Sequence, residues 1–151
     1  MERVLVTGGA GFIGSHLVER LVKGGHRVRV LDNLSSGKRS NLAAVAGEID
    51  FKEGDIRDPE GVRAALRGMD VVFHQAAFVS VPGSVQDPQT CFEVNVSATR
   101  QLLEAAREGG VRRVVLASSS AVYGDNHRLP LQETADLHPL SPYAASKQVN
   151  E

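Results

Sequence analysis

With 151 residues the chain has room for one ordinary domain and a single sizeable core, and no second domain is expected. Its 17 Lys and Arg balance 18 Asp and Glu with no block of like charge, which argues against nucleic-acid and membrane surfaces and for small-molecule partners. Cys91 is the only cysteine, so an internal disulfide and a multi-cysteine metal site are excluded and a reducing cytoplasm fits.

The first predicted strand, Arg3 to Thr7, follows the N-terminus directly, without the basic, apolar and small-residue succession of a signal peptide. It runs into Thr7-Gly8-Gly9-Ala10-Gly11-Phe12-Ile13-Gly14, a G-x-x-G-x-x-G turn that opens a helix. In that position Gly8 allows a tight turn, Gly11 lets backbone approach a pyrophosphate, and Gly14 lets the helix pack close to the strand, while the helix N-terminus offers free N–H groups to phosphate. The helix shows Ile13, Leu17 and Leu21 on one face and stops at Gly24-Gly25, where a left-handed cap costs glycine little. A second strand, Val28 to Leu31, ends on Asp32, 18 residues beyond Gly14, close to the ~20-residue offset expected of a carboxylate that holds adenosine ribose hydroxyls. A 2′-phosphate about 4 Å away would meet repulsion of ~4 kcal/mol per unit charge at an effective dielectric of ~20, so NAD is expected over NADP, with Lys38 and Arg39 able to soften the preference.

The third strand, Ile49 to Lys52, leads to Gly54-Asp55-Ile56, where adenine would lie, and Asp58-Pro59 reads as a helix N-cap with proline at the first position. The fourth, Val71 to His74, ends in Gln75-Ala76-Ala77, small residues that a cofactor backbone can approach. His74 and Cys91 read as structural, since neither has a partner at catalytic or ligating spacing. The segment Gly83 to Glu108 repeats apolar residues at Val94, Ala98, Leu102 and Ala105, as one long helix packed on the sheet does, with a further N-cap signal at Asp87-Pro88. Asn95 within it is read as either cofactor-side or structural. The fifth strand is Val114 to Ser118, and Ser141-Pro142 opens the last helix.

Strands alternating with helices give an α/β fold, a doubly wound parallel sheet of the Rossmann type in the order 3-2-1-4-5, with ligand at the reversal between the first and fourth strands. A complete sheet of this type has at least a sixth strand, so residues 1–151 are expected to be a dinucleotide-binding domain incomplete at its C-terminus, without a substrate domain. Tyr143-Ala144-Ala145-Ser146-Lys147 places a phenol and an ammonium four residues apart on one helix face. A tyrosine acting as a base near neutral pH must drop from ~10 to ~7, which needs about 4 kcal/mol. An ammonium ~6 Å away supplies ~3 kcal/mol at an effective dielectric of ~20, and an oxidised nicotinamide ring can add the rest.

The motifs TGGAGFIG, Asp32-Asn33, GDIRD, HQAA, SSSAVYG and SPYAASK, in this order and spacing across the whole chain, resemble the extended short-chain dehydrogenase/reductase family. The resemblance implies bound NAD, contacted by Gly8, Gly11, Phe12, Ile13, Gly14, Asp32, Asn33, Ser36, Asp55, Ile56, Ala76, Ala77, Tyr143 and Lys147, and no metal. Ser119, Tyr143 and Lys147 would be catalytic, with Ser120 the alternative to Ser119 should the register slip by one. Where the family's nucleotide-sugar dehydratases carry Asp-Glu this chain has Ser120-Ala121, so the resemblance is to the UDP-sugar 4-epimerases, with a UDP sugar as substrate and a homodimer as the full-length form. A nucleotide-sugar reductase, decarboxylase or dehydratase of the same family, or a non-catalytic dinucleotide-binding module, are the alternatives.

Overall fold

A computed structural model describes residues 1–127 and 129–151. The chain divides into two compact units, residues 1–76 with 100–117 and residues 77–99 with 118–151.

The first unit holds β1 (Arg3–Thr7), β2 (Arg27–Asp32), β3 (Ile49–Glu53), β4 (Val71–His74) and β5 (Arg113–Leu116) in one parallel sheet ordered β3-β2-β1-β4-β5, as the alternation predicts. Central β1 has neighbours on both sides, and its Val4, Leu5 and Val6 are fully buried, the continuous apolar run of a strand covered on both faces. Val4, Val6, Val28 and Val30 share one face with Val18 of helix α1 (Phe12–Lys23) and with Leu42 and Val45 of a 3₁₀ helix, Arg39–Val45, that apolar periodicity does not mark.

β5 stops at Leu116, two residues short of the predicted Ser118, because the ladder with β4 ends at His74–Leu116. On α1, Leu17 and Leu21 pack on the core as predicted, but Ile13 is 67% exposed, and the fully buried positions are Gly14, Ser15 and Val18. Its left-handed cap residue is Gly25, with φ of 77°.

On the opposite face of β2, Arg29 links three elements. Its Nε donates to Asp50 of β3 at 2.7 Å, and its Nη1 donates to the carbonyls of Ala65 at 2.8 Å and Arg67 at 3.1 Å, at the C-terminus of α2 (Pro59–Leu66). A cation there pairs with the negative end of the helix dipole and satisfies carbonyls that no helical N–H reaches. Arg29→Met is expected to cost about 2 kcal/mol of stability, read as a lower denaturant midpoint at unchanged slope. An unchanged midpoint would remove Arg29 from the list of structural ties. At the start of β1 the Arg3 guanidinium grips Asp70 and holds its carboxyl down at about 2.

The second unit contains α3 (Val81–Gln86), α4 (Pro88–Phe92) and α6 (Pro142–Val149), with a 3₁₀ turn at Ser120–Tyr123. α4 passes through a π-helical turn, Glu93–Ser97, into α5 (Ala98–Glu108), whose residues from Arg100 on belong to the first unit. The single helix expected over 83–108 is therefore interrupted at Asp87, whose side chain caps α4 by accepting from the Thr90 N–H, and it changes phase at the π turn. Of the predicted stripe, Ala98 and Leu102 are buried, but Val94 and Ala105 are only half-buried, and Ser84, Cys91, Asn95, Thr99 and Ala106 are buried instead. The N-caps read at Asp58 and Ser141 form as expected, accepting from Glu60 and Ala144 N–H groups. Among the described residues no helix is long and apolar enough to cross a membrane, and no cluster of His, Cys, Asp and Glu is placed to hold a metal.

Candidate functional site

In the first unit the chemistry-bearing residues gather where the parallel strands end. Gly8 follows β1 with φ of 67°, and a Cβ there would lie 2.6 Å from the Ala76 backbone nitrogen, so only glycine lets the turn pass the end of β4. Gly14 differs from expectation in what it approaches: a Cβ would fall 2.1 Å from the Gly8 carbonyl oxygen, on the turn itself rather than on the strand. Gly11 faces open space except for that same carbonyl at 3.3 Å. It is the N-cap of α1 without a side-chain cap, and the first turn carries no acidic residue. The first N–H groups of α1 have no side-chain cap and sit at the positive end of the helix dipole, flanked by exposed Phe12 and Ile13, an arrangement chemically able to accept an anion such as a diphosphate.

Asp32 is buried at the end of β2, with one oxygen accepting from the Ala10 N–H at 2.9 Å and the other from the Leu34 N–H at 2.8 Å. Each oxygen keeps a free lone pair, the capacity a ribose diol needs. Leu34 reaches this geometry at φ of 57°, a left-handed conformation that costs a leucine roughly 1 kcal/mol or more. Its side chain packs on the core cluster, which offsets that strain. Ala10 is the hub of the turn, since its carbonyl also accepts from the Lys38 N–H at 3.0 Å and from the Asn41 side chain at 2.8 Å. Sequence reasoning missed Asn41, which lies in a polar run with no periodic signal; only its neighbour Leu42 marks the segment as packed.

Arg39 stacks over the Phe51 ring at 4.2 Å and reaches Glu53 at 3.5 Å, which engages the guanidinium with β3, while Lys38 and Ser36 are exposed. Asn33 is exposed and its amide donates to Asp55 beyond the end of β3, where Ile56 is buried. Thr7 Oγ1 and His74 Nδ1 share a buried hydrogen bond of 2.6 Å, and the Ala76 N–H donates to the same hydroxyl oxygen at 3.3 Å, so His74 is a structural residue that fixes the path of the chain through Ala76.

In the second unit Ser119, Tyr143 and Lys147 are each held by their neighbours. Ser119 opens the 3₁₀ turn, its Oγ accepting from the Ala121 N–H at 3.2 Å, while Ser120 is exposed. Tyr143 lies in the first turn of α6, and its backbone N–H donates to Ser84 Oγ at 3.1 Å; Ser84 in turn donates to the Val81 carbonyl, which ties α6 to α3. One turn on, Lys147 is 6% exposed, and burial pushes its ammonium below the usual lysine value, partly offset by the nearby Cys91. Asn95, 1% exposed, accepts from the Phe78 N–H at 2.7 Å and donates to the Phe78 carbonyl and to Ser146 Oγ at 2.9 Å. Since Ser146 lies between Tyr143 and Lys147 on α6, Asn95 braces that helix, and Cys91 is the small buried residue expected. Ala77 is half-buried. Gly124, at φ of 60°, admits the His138 carbonyl where a Cβ would otherwise sit, a further requirement that the V-Y-G pattern alone does not explain.

Residues 4–151 match the model of the NAD dependent epimerase/dehydratase family. The UDP-glucose 4-epimerase of Streptomyces lividans is 45% identical over 148 residues, 96% of this chain and 44% of that protein. Among solved structures, the UDP-glucose 4-epimerase of Thermus thermophilus in complex with NAD superposes with a TM-score of 0.89 at 51% identity, covering 96% of this chain and 47% of that one. A dTDP-glucose 4,6-dehydratase from Streptomyces venezuelae, solved with NAD, gives 0.92 at 44% identity, covering 97% and 48%. The chain spans about half the length of the relatives it matches.

Proposed function

The chain belongs to the NAD-dependent epimerase/dehydratase family, and from that premise we propose that it is the dinucleotide-binding part of a nucleotide-sugar 4-epimerase acting on a UDP sugar. The Gly8 to Gly14 turn and the N–H groups of Phe12 and Ile13 hold the diphosphate of NAD, for which the open side of Gly11 and the uncapped start of α1 leave room. Asp32 accepts from the adenosine ribose, with Asn33 and Ser36 beside it, Asp55 and Ile56 border the adenine, and Ala76 and Ala77 let the cofactor pass the end of β4. The engagement of Arg39 with Phe51 and Glu53 supports NAD over NADP, since it leaves the Asp32 carboxylate as the nearest charge to the ribose.

NAD, held by these residues, would supply a reversible hydride acceptor for the sugar C4 carbon. Tyr143 takes the proton of the C4 hydroxyl and gives it back, and Ser119 hydrogen-bonds to the same oxygen. The Lys147 ammonium, desolvated on α6, favours the phenolate. The full-length protein works in the cytoplasm as a homodimer, a reading supported by the single buried cysteine and by the exposed apolar side chains of Val85, Phe92 and Val149.

The observation that carries the epimerase reading is Ser120-Ala121 beside Ser119, with Tyr143 and buried Lys147 on α6. A dehydratase is the second reading because one stands among the solved relatives, yet dehydration needs an acid and a base where this chain has a hydroxyl and a methyl. The full chain, incubated with UDP-glucose and no added reductant, is expected to form UDP-galactose without net NADH. A 4-keto-6-deoxy sugar, or stoichiometric NADH, would replace this reading.

A further inference from the structure

Asp55 and Asp32 stand at the ends of adjacent strands, yet their carboxylates are used differently. An ionised carboxylate offers about four acceptor directions. Asp32 has one donor on each oxygen. Asp55 has two on each: Oδ1 accepts from the Arg57 N–H at 2.8 Å and Arg57 Nε at 3.0 Å, and Oδ2 accepts from Arg57 Nη2 at 2.8 Å and Asn33 Nδ2 at 3.0 Å. The Arg57 guanidinium holds the Asp55 carboxyl well below the usual carboxylate range, so the group is an acceptor only. A carboxylate already carrying four donors has no vacant direction for a base.

Resting on the reading that NAD places its adenine by Asp55, the geometry points to Arg57 as a positioning residue for base recognition: its fork fixes the Asp55 carboxylate so that Oδ2 exchanges the Asn33 amide for the 6-amino group of adenine. The exchange falls on Asn33 because its donor is a neutral side-chain amide that can rotate away, whereas two of the other donors carry the positive charge of the Arg57 fork and the third is the Arg57 backbone N–H, fixed by the chain. Asn33 is exposed and also accepts from the Ser35 N–H, so its released amide turns to water at small cost. A 6-oxo base would bring one acceptor against another and be rejected, and the rejection lasts only while the fork holds the carboxylate in place.

The test is calorimetry on the full chain with NAD and with nicotinamide hypoxanthine dinucleotide, for the unaltered protein, Arg57→Met, Asp55→Asn and the double variant. The unaltered protein is expected to favour NAD about tenfold or more. Arg57→Met should bring the two dinucleotides within about threefold by weakening NAD alone, and Asp55→Asn, whose amide can donate to a 6-oxo group, should shift the preference toward the hypoxanthine form. In the double variant the Arg57 substitution should add nothing to the ratio. Equal weakening of both dinucleotides by Arg57→Met would overturn the inference and make Arg57 a merely structural residue. Should the Arg57→Met chain not fold, Asp55→Asn alone decides, an unchanged preference overturning the inference. NAD binding without preference in the unaltered protein would overturn the inference and leave the NAD site standing, whereas binding of neither dinucleotide would overturn the site as well.

Discussion

Tyr143→Phe is expected to lower turnover of the full chain by about 10²- to 10⁴-fold, the usual worth of a positioned general base. The substitution isolates the hydroxyl because the hydrogen bonds that hold residue 143 run through its backbone: its N–H donates to Ser84 Oγ at 3.1 Å, and its carbonyl accepts from Ser146 Oγ at 2.7 Å. Phenylalanine keeps the ring and both of those bonds, so α6 keeps its place against α3. Stability should therefore change by less than about 0.5 kcal/mol, as for a substitution that leaves no buried group unpaired, and NAD affinity should change little. The loss belongs in kcat, because in the proposed reaction the proton moves only as the C4 carbon is oxidised. Retention of more than about a tenth of the turnover would show that another group takes the proton.

Why the strands were legible and their supports were not is a matter of range. β1 and β4 match the predicted bounds, β2 is longer than predicted by one residue at each end and β3 by one at its C-terminal end, because β-branched runs bounded by glycine and proline are local signals. Parallel order followed from right-handed crossovers. The helix read over 83–108 failed where its period was taken as constant: a π turn at Glu93–Ser97 shifts the phase, and polar Asn95 and Thr99 face inward where Val94 and Ala105 were expected. Ile13 failed for another reason, since an apolar residue at the start of α1 is exposed beside the turn proposed to hold a diphosphate instead of packing on the core. Motif spacing named the residues proposed for chemistry, but not the ones that hold them. Asn41 reaches Ala10 across 31 positions, Ser84 reaches Tyr143 across 59 and Asn95 reaches Ser146 across 51, and each works through a single polar atom that leaves no periodic trace.

Gly14→Ala is expected to destabilise the chain by about 3 kcal/mol and to weaken NAD binding by about 100-fold or more. The added methyl would sit 2.1 Å from the Gly8 carbonyl oxygen and 2.8 Å from Gly9 Cα, both backbone atoms with no rotamer to escape into. The turn cannot retreat, because Gly8 already lies against the Ala76 backbone and Gly9 against Val30. Relief must come from a shift of α1, which moves the N–H groups proposed to hold the diphosphate beyond the tenths of an ångström that a good hydrogen bond tolerates. Gly11→Ala separates the two effects: Gly11 has φ of −74°, ordinary for alanine, and an added Cβ would meet only the Gly8 carbonyl oxygen at 3.3 Å. That variant should unfold within about 0.5 kcal/mol of the unaltered protein, as an unstrained surface substitution does, while still losing NAD affinity if the diphosphate rests against the turn. Denaturant melts and calorimetry on the two variants read both quantities. A Gly14→Ala chain with an unchanged midpoint would show that the turn is softer than its packing implies, and a Gly11→Ala chain that binds NAD as tightly as the unaltered protein would remove the diphosphate from this turn.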